Sequence, residues 1–269
     1  MTTLLHASPE QLAAAASSVA RQTFRDFEWI VHECGRDGCA EQVLANTDVP
    51  HVRIERDAAT VSLAQGRNAA ISVARGDLIA ILDGDDECTP DRLQRQVDHF
   101  ENAPELAVLG GAIEMMDESG TTLGYRGYPT THLEIATRIR RANPIAHPTV
   151  MMRREALQAA GRYRDYGEGA CDDYELWSRM LRKGHHFGNV SDVLLRYRLH
   201  ANANKSKRLR ATLRDTLRVK RDYWRNELTI GDRIRMLGEQ VLLRLPPGQV
   251  SRWFLKTTLQ SAPPGKASS

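Results

Sequence analysis

The apolar run Leu78–Leu82 (LIAIL), which ends in a cluster of carboxylates, constrains the fold of this chain more than any other segment. Five apolar residues without alternation are typical of a strand that is buried on both faces. Around it, strand-like and helical patterns alternate, with strands at Thr2–Ala7, Glu28–His32 and Val52–Arg56 and helices at Pro9–Gln22, Ser62–Arg75 and from Thr89 to about Phe100. This alternation predicts an α/β fold with a parallel sheet of the doubly wound kind.

The second half of the chain shows further elements in a less regular order. Strands are expected at Ala107–Met116, Thr122–Tyr128, Thr149–Arg153 and Val193–Leu199, and helices at Leu133–Arg141, Glu155–Ala160, Asp172–Lys183, Lys205–Tyr223 and Leu228–Leu245. Ser8 followed by Pro9 marks the start of the first helix. Gly76, Gly161 and Gly184 lie where left-handed C-caps would end their helices.

The carboxylates that follow LIAIL are the first candidate site. Ligands of such sheets bind beyond the carboxyl ends of the strands, which is where Asp83, Asp85 and Asp86 lie. Three carboxylates this close repel one another unless a cation is near, and their oxygens suit Mg²⁺ or Mn²⁺ bound to a diphosphate. The alternatives are an exposed acidic turn, or the D-x-D motif of haloacid dehalogenase-like enzymes, which Glu87 does not match.

A second acidic pair, Asp172 and Asp173, opens a predicted helix. Asp172 and Glu175 have a spacing like that of a capping box, which predicts that Asp172 caps this helix. Asp173 is then left available as a base that the helix N-terminus holds ionised and fixed in direction. The competing interpretation is that both aspartates only cap the helix and complement its dipole.

Composition limits the remaining function classes. The 269 residues are 41% hydrophobic and 26% charged, which are globular proportions, and we expect disorder only in the tail 261–269. Four scattered cysteines without C-x-x-C spacing predict reduced thiols in a cytoplasmic protein. The first residues lack the pattern of a secretory signal, and no stretch reaches the length of a membrane span.

The C-terminal part of the chain is strongly basic. Between Lys205 and Lys256 it contains 14 Lys or Arg against 5 Asp or Glu, together with Trp224, Trp253 and Phe254. This composition allows a peripheral contact of residues 208–260 with the inner membrane face. The alternatives are a solvated helical surface, packing on the rest of the protein, or a dimer contact. We expect no nucleic-acid partner.

Six ordered segments together resemble the family 2 glycosyltransferases, the inverting enzymes of the GT-A fold. They are Ser18–Phe27, Glu28–Gly38, Leu63–Asp86 (LAQGRNAAISVARGDLIAILDGDD), Asn143–Arg153 (NPIAHPTVMMR), Asp172–Trp177 and Tyr197–His200 (YRLH). The resemblance implies a Rossmann-like mixed sheet flanked by helices, with a helical C-terminal extension. It also implies a catalytic domain over residues 1–207, of which 1–100 form the donor-binding half and 101–207 the acceptor half.

The resemblance implies roles for individual residues. Asp173 matches the general base, Asp85 and His200 match metal-binding positions, and Asp83 matches a contact to the nucleoside or ribose. Glu33, Arg67 and Asn68 are expected at the nucleotide sugar. The acceptor side is expected to include Asn143, His147, Asp172 and Trp177, although a buried structural role for His147 is an equal alternative.

The implied activity is the metal-dependent transfer, with Mn²⁺ or Mg²⁺, of a sugar from a nucleoside-diphosphate sugar to a glycan or lipid-linked acceptor. Two segments depart from the family pattern. His6-Ala7-Ser8-Pro9 lacks the usual Tyr-Asn after the first strand, and Cys34 replaces the second carboxylate after Glu33. These departures keep open a second hypothesis, a degenerate relative that binds a nucleotide sugar without turnover. A sugar nucleotidyltransferase is a weaker alternative, because no Gly-rich basic loop follows the first strand.

Overall fold

A computed structural model describes residues 1–4, 7–34, 38–45, 47–57, 61–167, 171–199, 205–244 and 258–264, with the backbone alone over 205–209. The chain forms two sheets with helices packed against them. The elements, in chain order, are β1 (Thr2–Leu4), α1 (Pro9–Ala20), β2 (Trp29–Glu33), α2 (Ala40–Leu44), β3 (Val52–Arg56), α3 (Leu63–Val73), β4 (Leu78–Ala80), β5 (Glu87–Cys88), α4 (Arg92–Asn102), β6 (Leu106–Met116), β7 (Thr122–Arg126), α5 (His132–Arg138), β8 (Met151–Arg153), α6 (Arg154–Ala160), α7 (Asp172–Arg182), β9 (His186–Arg198), α8 (Lys205–Trp224) and α9 (Ile230–Leu242). A short 3-10 helix, His147–Thr149, precedes β8.

The first sheet is parallel, with strand order β1-β2-β3, as the alternating pattern predicts. All five residues of β2 are buried. Ser8 caps α1 through a capping box with Gln11, and Ser62 caps α3 in the same way with Gln65. The predicted start of α1 is therefore confirmed.

The second sheet is mixed and has the order β4-β8-β6-β9-β5, with β7 paired to β6. The apolar run LIAIL forms a strand only over its first three residues, which run antiparallel to β8. The N–H of Ile81 then donates to the carbonyl of Val150 at 2.8 Å, and that of Leu82 to the carbonyl of Met1 at 3.0 Å. The second of these bonds joins this strand to the edge of the first sheet.

Strand β9 begins seven residues earlier than the expected Val193–Leu199. Gly188 and Asn189 interrupt the apolar pattern in the sequence, yet this part of the strand pairs in parallel with β6. A Cβ on Gly188 would lie 3.3 Å from the side chain of Leu109, so the strand packs closely here. The sequence pattern missed this half because Gly188 and Asn189 interrupt its apolar run, although Phe187 and Val190 beside them are buried.

Two of the three predicted glycine caps are found. Gly161 has a φ of 91° and ends α6, and Gly184 has a φ of 84° just after α7. The prediction for Gly76 is wrong, because α3 ends at Val73 with an extended Ala74. The N–H of Arg75 instead donates to the carboxylate of Glu28 at 2.5 Å, which turns the chain away from the helix.

The C-terminal helices pack against the rest of the fold. Val219 and Trp224 of α8 belong to the main buried cluster, and the indole N–H of Trp224 donates to Ser178 at 3.0 Å. The expected boundary after residue 207 therefore falls inside α8. Further along, Gln260 pairs with Tyr125 of β7 through two backbone hydrogen bonds. Trp253 and Phe254 lie outside the described residues, as does the tail beyond residue 264.

Among the helices that the structure describes, none has the length and apolar character that a membrane span requires.

Candidate active site

The acidic loop 83–87 follows β4 and is held in place by Arg198 at the end of β9. The Nε of Arg198 donates to the carbonyl of Asp85 at 3.0 Å, and its Nη2 donates to the carboxylate of Glu87 at 3.0 Å. Nη1 donates to the carbonyl of Glu118 at 3.0 Å. Arg198 is only 8% exposed, and its bonds hold the loop against β9.

Asp86 differs from its neighbours because its side chain turns inward. It is 1% exposed, its Oδ1 accepts the backbone N–H of Arg198 at 2.8 Å, and its Oδ2 has no hydrogen-bond partner in the part of the chain that the structure describes. Burial, with the negative charges of Asp85 and Asp83, raises the pKa of Asp86 well above its usual value. The three carboxylates of this loop therefore have different environments. Asp83 and Asp85 are then the two carboxylates that face outward.

Helix α7 brings the second acidic pair against α3. Asp172 forms an ion pair with Arg67, and both side chains are buried. Cys171 is the N-cap of α7 and Asp172 its first helical residue, so the predicted capping role of Asp172 is wrong. Glu175 is also engaged elsewhere, in a buried ion pair with Arg179 at 2.9 Å. Asp172 thus anchors α7 to α3 instead of capping it.

Asp173 is half-buried beside this ion pair and is positioned by Asn143. The side-chain amide of Asn143 donates to Oδ2 of Asp173 at 2.7 Å, and Oδ1 accepts the N–H of Tyr174 at 2.7 Å. Burial, followed by the charge of Asp172, raises the pKa of Asp173 to about 6. The group is therefore ionised at neutral pH and is a better proton acceptor than an ordinary aspartate.

Arg67 connects the two acidic groups electrostatically. Burial lowers its pKa, but the negative charges of Asp172, Asp83 and Asp173 act in the other direction, and the net effect is a raised pKa. Only groups that lie close together perturb one another in this way. The structure thus brings the loop after β4 and the start of α7 to one place, although they are far apart in the sequence.

A buried aromatic cluster supports the site from behind. Nε2 of His147 and the hydroxyl of Tyr163 are hydrogen-bonded at 2.9 Å, and the guanidinium of Arg67 lies 5.3 Å from the centre of the Tyr163 ring. Burial, and then Arg67, lowers the pKa of His147 well below its usual value, so the ring is neutral. These contacts favour the structural alternative for His147.

The prediction that Trp177 contacts an acceptor needs correction. Its side chain has no exposed surface, and it packs edge-to-face on Phe187 with ring centroids 6.0 Å apart. Trp177 belongs to the main core because α7 places this position on its inner face. The aromatic side chain five positions after the first residue of α7 is therefore explained here by packing.

Two residues expected at the donor make internal contacts. The carboxylate of Glu33 accepts the N–H of Ala40 at 2.8 Å and Nε of Arg56 at 2.8 Å. The side-chain amide of Asn68 bonds to both the carbonyl and the N–H of Tyr163, at 2.8 and 3.1 Å. The donor contacts of Glu33 and Asn68 remain predictions. His200, expected at the metal, lies outside the described residues.

The remaining carboxylates suit a metal that arrives with its substrate. The described part of the chain contains no group of three His, Cys, Asp or Glu side chains arranged to hold an ion. Mg²⁺ in phosphate-binding sites commonly uses one or two carboxylates and takes its other ligands from the phosphates and water. Asp85, with Asp83 beside it, fits that pattern.

Arg198, Tyr163 and Tyr128 were assigned no role from the sequence. Burial raises the pKa of Tyr128, as does the charge of Asp173 to a smaller degree, whereas Arg126 lowers it, so Tyr128 lies near the candidate base. The one available signal was Arg198, a cation inside an otherwise strand-like run. Its partners are the carboxylate of Glu87 and backbone carbonyls, and no sequence pattern reveals these contacts.

Comparison with known proteins is consistent with this geometry. The model of the family described as Glycosyl transferase family 2 matches residues 5–161. Over 138 residues the chain is 31% identical to the amylovoran biosynthesis glycosyltransferase AmsE of Erwinia amylovora, a match that covers 51% of each protein. Over 210 residues it is 29% identical to the O-antigen biosynthesis glycosyltransferase WbnJ of Escherichia coli, covering 75% of this chain and 78% of WbnJ.

The fold is similar to that of a solved structure. The crystal structure of S. aureus TarS 1–349 in complex with UDP superposes with a TM-score of 0.60 at 15% identity, over 90% of this chain and 68% of that one. At this identity the likeness concerns the fold. The match to AmsE spans about half the length of that relative.

Proposed function

The chain belongs to glycosyl transferase family 2, and we propose that it transfers a sugar from a nucleoside-diphosphate donor to an acceptor hydroxyl with inversion at the anomeric carbon. The observation that carries this proposal is the environment of Asp173. Asn143 fixes the direction of its carboxylate, and burial gives it a pKa of about 6. A base with these properties accepts the proton of an attacking hydroxyl near neutral pH. General base catalysis of this kind increases the rate of the catalysed step by about 10²- to 10⁴-fold.

On the donor side, Asp83 and Asp85 are the groups that we assign to the nucleotide sugar. Asp85 would hold a divalent metal, Mn²⁺ or Mg²⁺, which when bound neutralises the charge of the departing diphosphate. Asp83 would contact the nucleoside or ribose, close to Arg67. A complex of the structurally similar TarS with UDP supports a nucleotide donor.

The two substrates meet between the loop after β4 and the start of α7. Arg67 holds Asp172 and so fixes α7, and Asn143 orients Asp173 toward the acceptor. Alignment of both reactants in one site makes the reaction effectively intramolecular. The names of AmsE and WbnJ support assembly of a polysaccharide or glycolipid, on a glycan or lipid-linked acceptor in the cytoplasm.

A second candidate function is nucleotide-sugar binding without turnover. The contacts of Glu33 favour it, because Arg56 and the N–H of Ala40 already occupy its carboxylate. In that case the altered segment after β2 does not present a carboxylate to the base of the nucleotide. The two functions differ in whether diphosphate is released.

The test incubates purified protein and Mn²⁺ with each member of a panel of nucleotide sugars. For each donor, the thermal shift of the protein and the release of nucleoside diphosphate are measured together. We expect one donor to give both signals, and EDTA or Asp85→Ala to remove both. Asp173→Asn should keep the thermal shift and lower release or transfer by about 10²-fold or more. Asp192→Asn, which changes an exposed carboxylate on β9, is the matched control.

Each outcome separates the hypotheses. A metal-dependent shift without release, with every donor and with added glycan acceptors, would support the binding protein and contradict the transferase. Near-native turnover of Asp173→Asn would show that another group takes the proton.

A further inference from the structure

Helix α9 presents an apolar ridge to solvent. Ile230, Ile234, Leu237 and Val241 are 79%, 63%, 62% and 56% exposed. Their spacing of four, three and four residues places them on one face of the helix. Single exposed aliphatic residues are normal on a protein surface, but four in one continuous line indicate an interaction surface.

The opposite face of α9 is anchored by ion pairs. Asp232, which is 4% exposed, accepts from Nε of Arg141 at 2.6 Å. Nζ of the buried Lys220 in α8 donates to both oxygens of Glu239, at 2.6 and 2.8 Å. The two acidic residues of α9 therefore point inward, toward the body of the protein.

The charged side chain that α9 itself places beside the ridge is an arginine. At 100° per residue Arg233 projects beside the ridge, and Arg244 follows two residues after the end of the helix; both are exposed. Gly231 and Gly238 border it on the other side and leave its aliphatic side chains prominent. Residues 240–269 contain no Asp or Glu.

We propose that α9 is an interfacial helix that lays the ridge of Ile230, Ile234, Leu237 and Val241 into a membrane surface containing anionic lipid. An aliphatic face with arginines at its border matches the acyl boundary and the phosphate layer of such a surface. This inference concerns a binding surface outside the candidate active site and does not depend on sugar transfer.

Charge distinguishes a lipid surface from a second copy of this chain. A symmetric contact would bring the same patch of both copies together. Arg233 and Arg244 of one copy would then face those of the other, with no acidic side chain of α9 on that side to pair them. Anionic headgroups supply the missing negative charge.

The surface is linked to the candidate acceptor side by one contact. Arg141, which holds Asp232 of α9, lies two residues before Asn143, which orients Asp173. Binding of α9 to a bilayer would therefore bring the acceptor side close to lipid. Trp224, which the sequence places in the basic region, does not contribute to this membrane surface, because it is 5% exposed and its indole is bonded to Ser178.

The experiment is flotation of the full chain with vesicles of phosphatidylcholine alone and with about 30% phosphatidylglycerol. We expect binding to the anionic vesicles and a decrease of about tenfold or more in the partition coefficient for Ile234→Gln/Leu237→Gln. Arg233→Gln/Arg244→Gln should remove most of the preference for anionic lipid. Leu133→Gln changes a leucine that is 76% exposed on α5 and should bind like the parent protein.

Equal binding of the parent protein and the ridge variant, or no flotation of the parent, would overturn the proposal. So would a dimer, measured by sedimentation in the absence of lipid, that the ridge substitutions dissociate. The ridge positions are exposed, so the variants should keep the parent melting temperature. Donor-dependent release of nucleoside diphosphate should also be the same in these variants as in the parent protein. If the parent and all variants release none, that result contradicts the proposed transferase activity and leaves the membrane surface untouched.

Discussion

At the scale of single residues, Asp172 and Asp173 are neighbours in the sequence with different roles. Asp172 is buried against Arg67 and anchors α7, whereas Asp173 is half-buried with a pKa of about 6. Environments that separate two adjacent carboxylates in this way are a common source of acid and base function. The sequence assigns Asp172 to capping the helix and Asp173 to the base. Asp172 pairs with Arg67 instead, and the role of Asp173 as the base stays a prediction.

Asn143→Ala should shift the acid limb of the pH–rate profile. Asn143 donates to the charged form of Asp173 and so holds its pKa down. Without this bond the pKa rises above about 6, and the active, ionised form is lost at a higher pH by about one unit. The measurement is kcat/KM against pH, with Asn102→Ala on the exposed end of α4 as the control. An unchanged limb, or a shift to lower pH, would show that Asp173 is not the titrating base.

Arg198→Met should destabilise the protein and loosen the acidic loop. Its removal leaves the carbonyls of Asp85 and Glu118 without this donor, and it removes the positive charge that faces the carboxylate of Glu87. Urea denaturation should show a loss of about 3 kcal/mol. Arg196→Met, two positions earlier on the same strand and one-third exposed, should cost about 1 kcal/mol or less. Similar losses for the two variants would contradict the role assigned to Arg198.

At the scale of elements, helix α3 packs closely on the first sheet at Gly66. A Cβ at this position would lie 2.4 Å from Sγ of Cys34 and 2.9 Å from a methyl of Thr3, both on or beside buried strands. This approach lets α3 bring Arg67, the next residue, to α7. The glycine thus matters for close packing and not for an unusual backbone angle.

Gly66→Ala and Gly238→Ala should change stability in opposite directions. The first forces a side chain into the contact with Cys34 and should cost about 1–3 kcal/mol. The second adds a methyl group where no atom lies within 4 Å, in a helix, and should stabilise by about 0.5–1 kcal/mol. Thermal and urea unfolding of both variants measure the difference. If both variants are less stable than the parent protein, the space around Gly238 must be occupied in solution.

Elements were predicted better from the sequence than the site was. Local signals such as Ser8 before Pro9, or Gly161 after a short helix, act within a few residues and were confirmed. The pair of Arg67 and Asp172 spans 105 residues, and only the tertiary fold creates it. The inward position of Asp86 likewise depends on a distant residue, Arg198. Asp83, Asp85 and Asp86 therefore look equivalent in the sequence, although their environments in the fold differ.

At the scale of the whole molecule, helix α8 contributes to the main buried core. Val219 and Trp224 of α8 lie in the same cluster as Leu176 and Trp177 of α7. Glu175 in the first turn of α7 also accepts from the hydroxyl of Tyr223. The helix that carries the candidate base is thus supported from behind by the part of the chain expected to be an extension.

A chain that ends at residue 207 should not fold to the native state. Its loss of Val219 and Trp224 exposes apolar surface of α7, so we expect binding of a hydrophobic dye and rapid proteolysis. A chain that ends at residue 264 keeps all described elements and should retain the parent melting temperature. Cooperative unfolding of the shorter chain, together with normal donor affinity, would support the boundary after residue 207.

The bonds that Arg198 makes with Asp85 and Asp86 also set an order of events during synthesis on the ribosome. Arg198 follows Asp85 by 113 residues, so the acidic loop cannot take its final shape until β9 has left the exit tunnel. Strand β6 waits as well, because its longest pairing is with β9. Folding controlled by such distant partners is slow, since a long loop must close first. The nascent protein would therefore acquire an ordered acidic loop only after the ribosome has synthesised β9 and this strand has left the tunnel.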